Sequence, residues 1–283
     1  MTLRILVTGA NDGIGRETAL ALLRQGHHVI VHGRNADRAG KAASELGKQA
    51  NAPADRVSTA AFDLSSLAQV RDGANALLAA HPALDVAVLN AGLYNNERKL
   101  SADGYELTFA VNHLAHFFLA QQLAPALERA AAETGQPSRV VAVASMAHVR
   151  GAIDFTDLQS SKSYSAYGAY ALSKSCNILF AQELAARSDP KKLIANSLHP
   201  GVVGTKLLRA GFGMSGGPDS LAEGAETSVF LASSVEGGQV TGKFFVRSRE
   251  SLPSAQSREP KNAKRLWELT LELLDKAPTL RNH

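Results

Sequence analysis

Short apolar segments rich in β-branched residues alternate with helix-length segments along this chain, and that alternation limits its fold more than any other feature. Leu3–Thr8, His28–His32, Val57–Phe62, Asp85–Leu89, Arg139–Ala144, Ala195–His199 and Gly242–Val246 read as strands. Helical patterns lie between them, near Gly15–Gln25, Ala36–Gln49, Leu67–Ala80, Gly104–Ala132, Tyr164–Ala186 and Ser220–Ser233. A last amphipathic stretch, Ala263–Leu274, reads as a C-terminal helix. Parallel strands need crossovers of about this length. The pattern therefore predicts an α/β fold: one doubly wound parallel sheet of about seven strands, helices on both faces and right-handed crossovers. No repeat or low-complexity tract breaks it, and Gly211–Ser220 is the best loop candidate. A single domain over residues 1–283 is expected.

Composition narrows the class. With 283 residues, 45% hydrophobic and 20% charged, the chain is neither disordered nor fibrous and buries a core without cross-links. Its one cysteine, Cys176, excludes an internal disulfide and a cysteine-built zinc cage. No apolar run approaches the roughly 18 residues of a membrane span. Met1–Gly9 enters a strand pattern directly, without a charged and then long apolar leader, so a cytoplasmic protein is expected. The net charge of +4 arises wholly from Lys243 onward, where nine basic side chains face five acidic ones. That excess forms no dense stripe and no groove-reading module, so no nucleic-acid partner is expected.

The first strand runs into Thr8-Gly9-Ala10-Asn11-Asp12-Gly13-Ile14-Gly15, and a helical pattern begins at once. Glycines there permit positive φ and let the backbone approach a pyrophosphate, which the helix N-terminus attracts. The same spacing also suits a plain tight turn. After the second strand, His32-Gly33-Arg34-Asn35 lacks the carboxylate that accepts from an adenosine ribose hydroxyl. Arg34 instead offers a planar fork to a 2′-phosphate, or else points into solvent. NADP(H) is accordingly expected in preference to NAD(H), with Arg16 or Arg38 as competing cations. Asp63-Leu64 closes the third strand, where the carboxylate accepts from an adenine amino group or caps the next helix. Asn90-Ala91-Gly92 closes the fourth, at the edge where ligands lie in open α/β sheets.

Tyr170-Ala171-Leu172-Ser173-Lys174 puts a phenol and an ammonium on one helix face, at i and i+4. Neither Tyr164 nor Tyr167 has a lysine four residues on. A nearby ammonium favours phenolate and lowers the tyrosine pKa from about 10. Other side chains have blander readings. His113 and His116, at i and i+3, are assigned to packing over metal binding, for want of a third ligand. His199 reads as a rigid strand end, Cys176 as a small buried thiol and Trp267 as the dock of the C-terminal helix.

With these residues in view, the chain resembles the short-chain dehydrogenase/reductase family over nearly its whole length. Thr8-Gly9-x-x-x-Gly13-Ile14-Gly15, Asp63, Asn90-Ala91-Gly92, Asn112, Ser145, Tyr170-x-x-x-Lys174 and Pro200-Gly201 with Thr205 follow in order. Finer features are Asn112-His113-Leu114-Ala115-His116-Phe117, Asp154-Phe155-x-Asp157-Leu158, Ser197-Leu198-His199-Pro200-Gly201 and Leu266-Trp267-Glu268. These resemble the branch holding retinol dehydrogenases, the WW-domain-containing oxidoreductase and protochlorophyllide reductases.

The resemblance implies a Rossmann-like fold, a nicotinamide cofactor, and residues 1–95 serving mainly the cofactor with 96–283 serving catalysis and substrate. It implies that Ser145 bonds the substrate oxygen, Tyr170 is the acid or base, and Lys174 binds the nicotinamide ribose and tunes Tyr170. Asn112 would hold a water leading from Lys174 to solvent. Thr8, Gly9, Asn11, Asp12, Gly13, Ile14 and Gly15 would cradle the dinucleotide; Pro200, Gly201, Val203 and Thr205 would seat its nicotinamide. Ala144 stands where relatives often carry another serine, and the N-terminal membrane segment common among retinol dehydrogenases is not seen. The expected activity is hydride transfer between nicotinamide and a carbonyl or secondary alcohol. C=C reduction and a non-catalytic, NADP-sensing module are the alternatives. Specificity is expected in Leu93–Leu100, Met146–Gly168 and Thr205–Ser220, with Leu207, Leu208, Phe212 and Met214 as apolar wall. Relatives often pair through the helices bearing Asn112 and Tyr170, so a homodimer or homotetramer is expected.

Overall fold

β1 (Arg4–Val7) lies at the centre of the sheet because its inward-facing residues are apolar on both faces: Ile5, Leu6 and Val7 are all fully buried. The computed structural model describes residues 1–213 and 216–281. β1 is followed by α1 (Gly13–Arg24), β2 (His28–Gly33), α2 (Ala36–Ala50), β3 (Val57–Ala61), α3 (Leu67–Ala80) and β4 (Val86–Leu89). The second half continues with α4 (Leu107–Phe109), α5 (Ala115–Thr134), β5 (Ser138–Val143), α6 (Ala166–Arg187) and β6 (Leu193–His199). It closes with α7 (Lys206–Phe212), α8 (Leu221–Ser233), β7 (Phe244–Val246), β8 (Arg249–Ser251) and α9 (Pro260–Lys276).

The sheet order is β3-β2-β1-β4-β5-β6-β7-β8. β1 through β7 pair in parallel, and β8 turns back antiparallel on β7. The expected doubly wound sheet is thus present, with an eighth strand beyond the seven. β8 is three residues long and mostly exposed, so burial left no apolar run for sequence patterning to find. The chain order reverses between β1 and β4, which opens a crevice at their carboxyl ends.

Two local features shape that crevice. Between α4 and α5 the helix widens into a π-turn, Ala110–Leu114, which carries Asn112; such turns cluster at functional sites. α7 occupies part of the segment expected to be loop, starting at Thr205, whose Oγ1 accepts from the Leu208 N–H at 3.2 Å. Met214 and the side chain of Phe212 lie outside the described residues. α9 lies across α6 and buries Ala263, Leu266, Trp267 and Leu274. The Trp267 ring is 4.6 Å from Phe117 of α5 and stacks at 6.2 Å on Phe180 of α6, docking α9 as its sequence position implied.

Candidate active site

The chain leaves β1 through Thr8 and turns into α1, where Asp12 is the cap: its Oδ1 accepts from the Gly13 N–H at 2.9 Å. Gly9 adopts φ +66°, and its N–H donates to His32 Nδ1 at 3.1 Å. Gly15 admits no side chain, because a Cβ would lie 2.6 Å from the Gly9 carbonyl oxygen. The Thr8 Oγ1 gathers the neighbouring strand end, accepting from the N–H groups of Asn90 at 2.8 Å and Ala91 at 3.0 Å. It also meets His116 Nε2 at 3.0 Å. His116 Nδ1 lies 3.1 Å from the Asn112 carbonyl, which only accepts, so Nδ1 carries the proton and Nε2 accepts from Thr8. Burial pushes His116 down to about 3 and His32 down to about 4, so both stay neutral.

These histidines hold the glycine turn, a role the sequence reading missed. Residue type and spacing mark His116 only for packing and leave His32 as one more residue of β2. The one available signal was a polar side chain on an otherwise apolar buried face.

A cleft of about 870 Å³ opens above the turn, from Arg34 and Asp63 at one end to Ser145, Tyr170 and Thr205 at the other. All the anticipated site residues except Thr8 and Asn112 line it. The residues fit a dinucleotide: Gly9, Gly13 and Gly15 leave backbone open along the turn, and the first turn of α1, whose N–H groups lack intrahelical partners, lines the space. A Cβ on Gly92 would lie 3.5 Å from Lys174 Nζ, so glycine keeps the space before the ammonium clear.

At the end nearest β2 and β3, Arg34 Nε stands 3.7 Å from Asp63 Oδ2, and Arg38 also lines the cleft. Arg16 faces away, bonded to Gln49 at 3.2 Å and Glu45 at 3.5 Å. Asp63 does not cap α3. Ser66 does, while Asp63 Oδ1 accepts from the Ser65 N–H at 2.9 Å. At the far end α7 reaches the glycine turn, where Lys206 Nζ pairs with Asp12 Oδ2 at 2.5 Å.

Tyr170 and Lys174 sit one turn apart on α6, both buried. The expected depression of Tyr170 is reversed. Burial pushes its phenol up to about 12, and a hydrogen bond with Ser145 opposes this only in part. Lys174 is itself pushed down to about 8 by burial. Its Nζ donates to the Val143 carbonyl at 3.0 Å and lies 5.6 Å from the centre of the Tyr170 ring. Desolvation decides the direction here because the phenol is enclosed by protein.

Asn112 lies behind the wall. Its Oδ1 accepts from the Leu93 N–H at 2.8 Å, and its Nδ2 donates to the Leu93 carbonyl at 3.0 Å and to Ser173 Oγ at 3.0 Å. Its carboxamide straps the end of the Asn90–Leu93 turn to α6. The blander readings of Cys176 and His113 agree with their surroundings: Cys176 is fully buried, and His113 Nε2 bonds Thr270 Oγ1 at 3.1 Å.

A parallel sheet with a crevice at its switch point, a glycine turn into α1, and a serine, tyrosine and lysine together at the far end define a nicotinamide-dependent oxidoreductase. The model of the short chain dehydrogenase family matches residues 4–212. The chain belongs to the short-chain dehydrogenase/reductase family. Its similarity to retinol dehydrogenase 14 of Homo sapiens, 36% identical over 94% of this chain and 84% of that protein, places it in the retinol dehydrogenase-like branch. An uncharacterised protein from Mycobacterium paratuberculosis has a similar solved structure, with TM-score 0.78, 30% identity, and coverage of 96% of this chain and 93% of that one. RhlG of Pseudomonas aeruginosa, solved with NADP in its active site, superposes with TM-score 0.69 at 26% identity, over 86% of this chain and 93% of that one.

Proposed function

We propose that this enzyme uses NADP(H) to interconvert a carbonyl and a secondary alcohol on a small to medium apolar substrate. The observation that carries this reading is the hydrogen-bonded Tyr170 and Ser145, with Lys174 behind them, on the wall of a dinucleotide-sized cleft. When bound, the nicotinamide supplies or takes the hydride. Tyr170 carries its proton in the free enzyme, the state a general acid for carbonyl reduction starts from, and Ser145 donates to the substrate oxygen. Lys174 sits one helical turn beyond the phenol and, once paired with ribose hydroxyls, favours the phenolate left after proton transfer.

Arg34 and Arg38 both face the adenosine end, and no carboxylate ends β2; these features support NADP(H) over NAD(H). RhlG, with its bound NADP, agrees with that reading. Leu93, Met146, Tyr167, Leu207 and Leu208 line the cleft beside Lys206, and this apolar surface supports an apolar substrate. The buried single cysteine fits a reducing, cytoplasmic setting. Among the described residues no helix is long and apolar enough to cross a membrane. Any homodimer or homotetramer built on α5 and α6 must accommodate α9, which already packs on both.

The test is a panel of aldehydes, ketones, secondary alcohols and α,β-unsaturated carbonyls, read by NADPH consumption or formation and by product structure. Reduction of a C=O group supports the proposal. Saturation of a C=C bond with the carbonyl intact, or no turnover of any class, overturns it.

A further inference from the structure

The peptide unit that follows Ser145 is held at both of its polar atoms by histidine side chains. The Ser145 carbonyl lies 2.6 Å from His148 Nδ1, and the Met146 N–H donates to His199 Nδ1 at 3.2 Å. A carbonyl only accepts, so His148 Nδ1 carries the proton. Its Nε2 is then an acceptor, and the Ser254 N–H donates to it at 3.1 Å. An N–H only donates, so His199 Nδ1 is bare and its proton sits on Nε2. The two imidazoles thus occupy opposite tautomers, each dictated by its partner. Both are buried, and burial keeps both below the usual histidine pKa, hence neutral.

They reach this peptide from separate elements. His148 belongs to the 3₁₀ turn Met146–Arg150, and its ring meets Phe244 of β7 edge-on at 5.2 Å. His199 ends β6, in register with Val246. Ser145 stands where sheet bonding from β5 runs out: the Ala144 N–H still donates to the Leu198 carbonyl at 2.7 Å, but the Ser145–Met146 peptide is bonded by the two imidazoles and, at its carbonyl, by the His148 N–H at 3.1 Å. Rotation of that peptide would swing the Ser145 hydroxyl away from Tyr170.

We propose that His148 and His199 form a clamp that sets the orientation of Ser145, and that both are positioning residues for the reaction. This rests on the role proposed for Ser145. A displacement of about 1 Å at a reacting group costs on the order of 100-fold in rate, which is the scale a lost clamp reaches. His199 also lines the cleft, whereas His148 does not. A clamp therefore makes the two histidines behave alike, and a direct contact with ligand makes only His199 matter.

The experiment compares Ser145→Ala, His148→Leu, His199→Leu, His148→Asn and His199→Asn on a substrate found by the panel, with NADPH affinity and thermal unfolding measured alongside. Asparagine places an amide atom near the imidazole Nδ1, able to donate to Ser145 or accept from Met146. Both leucine variants are expected to lose about tenfold or more in kcat with NADPH affinity within about twofold, and both asparagine variants to recover most of it. The double leucine variant is expected to lose little more than the worse single one, since one peptide is being released. Should the leucine variants not fold, glutamine, whose amide reaches the Nε2 position instead, replaces them as the low-activity pair. Leucine or glutamine variants with near-normal kcat, asparagine variants no better than they are, or an effect confined to His199 would overturn the clamp while leaving Ser145 in place. Undiminished turnover by Ser145→Ala would instead remove the serine's role and the clamp's purpose with it.

Discussion

The Arg34 guanidinium and the Asp63 carboxylate face each other at one end of the cleft, 3.7 Å apart, with Arg34 the more exposed of the two. A 2′-phosphate must share Arg34 with that carboxylate, and Arg38 stands beside it as a second cation. Hydrogen bonds to a charged group are worth about 1.5–3 kcal/mol, and solvent and salt pull an exposed one toward the lower end. Arg34→Ala is expected to weaken NADPH binding about tenfold with NADH nearly unchanged. Titration of both cofactors by fluorescence decides it; a parallel loss for both would show that Arg34 supports the site rather than reading the phosphate.

Tyr170→Phe removes the hydroxyl and keeps the ring that packs on Ala147 and Ala171. Folding and NADPH affinity are expected to stay near wild type. Turnover should fall about 10²–10⁴-fold, the usual contribution of a general acid or base. Stopped-flow hydride transfer at saturating cofactor is the measurement, and an undiminished rate would assign the proton to another group.

Lys206 ties the start of α7 to the cap of α1 through Asp12. Both side chains are largely exposed, so solvent screening leaves the pair about 0–1 kcal/mol or less, too little to move global stability. Its effect is local. Bound NADPH is expected to slow hydrogen exchange across Lys206–Phe212, and Lys206→Ala to speed it in the free enzyme with Tm unchanged. Equal exchange with and without NADPH would exclude α7 as a cover over the cofactor.

His32, His113 and His116 are buried neutral, with pKa values pushed down to about 4, 3 and 3 from 6.5. The unfolded chain therefore binds protons that the folded one refuses, and stability is lost as pH falls below about 6.5. Each such histidine contributes up to about 1.4 kcal/mol per pH unit at the steepest. Urea unfolding at pH 7.5 and 5 is expected to show lower stability at pH 5. His116→Gln should flatten that difference; an unchanged slope would show that His116 is protonated in the fold.

Trp267 packs between Phe117 and Phe180, with the Arg187 guanidinium 4.9 Å above its ring. Trp267→Ala leaves a cavity under α9 and is expected to cost about 3–5 kcal/mol. Because α9 also covers the joined face of α5 and α6, light scattering is expected to show more self-association in the variant. A loss under about 1 kcal/mol would mean the site collapses around the gap.

Local patterning was enough to place most elements. β-branched runs marked β1 through β7, and the glycine spacing and the Tyr170/Lys174 pair were legible because both depend on residues a few positions apart. β8 was not legible, since a short edge strand buries little. The π-turn at Ala110–Leu114 was missed because its composition is that of any buried helix. Lys174 and Tyr170 were correctly paired, but the direction of the tyrosine shift was wrong: spacing reports a neighbouring charge and says nothing of how much water burial removes.

The sequence by itself determined the alternation of strands and helices, the glycine-rich turn at Gly9–Gly15 and the identity of the groups available for chemistry. Those are properties of backbone freedom and side-chain type, which a residue carries wherever it lies. Only the tertiary structure decided what His116, His148, His199 and Asn112 do. Each has a partner that only the fold brings close: Thr8 lies 108 positions from His116, Met146 53 from His199, Ser254 106 from His148 and Ser173 61 from Asn112. A buried polar side chain takes its role from the one donor or acceptor within about 3 Å, and that neighbour is set by the fold.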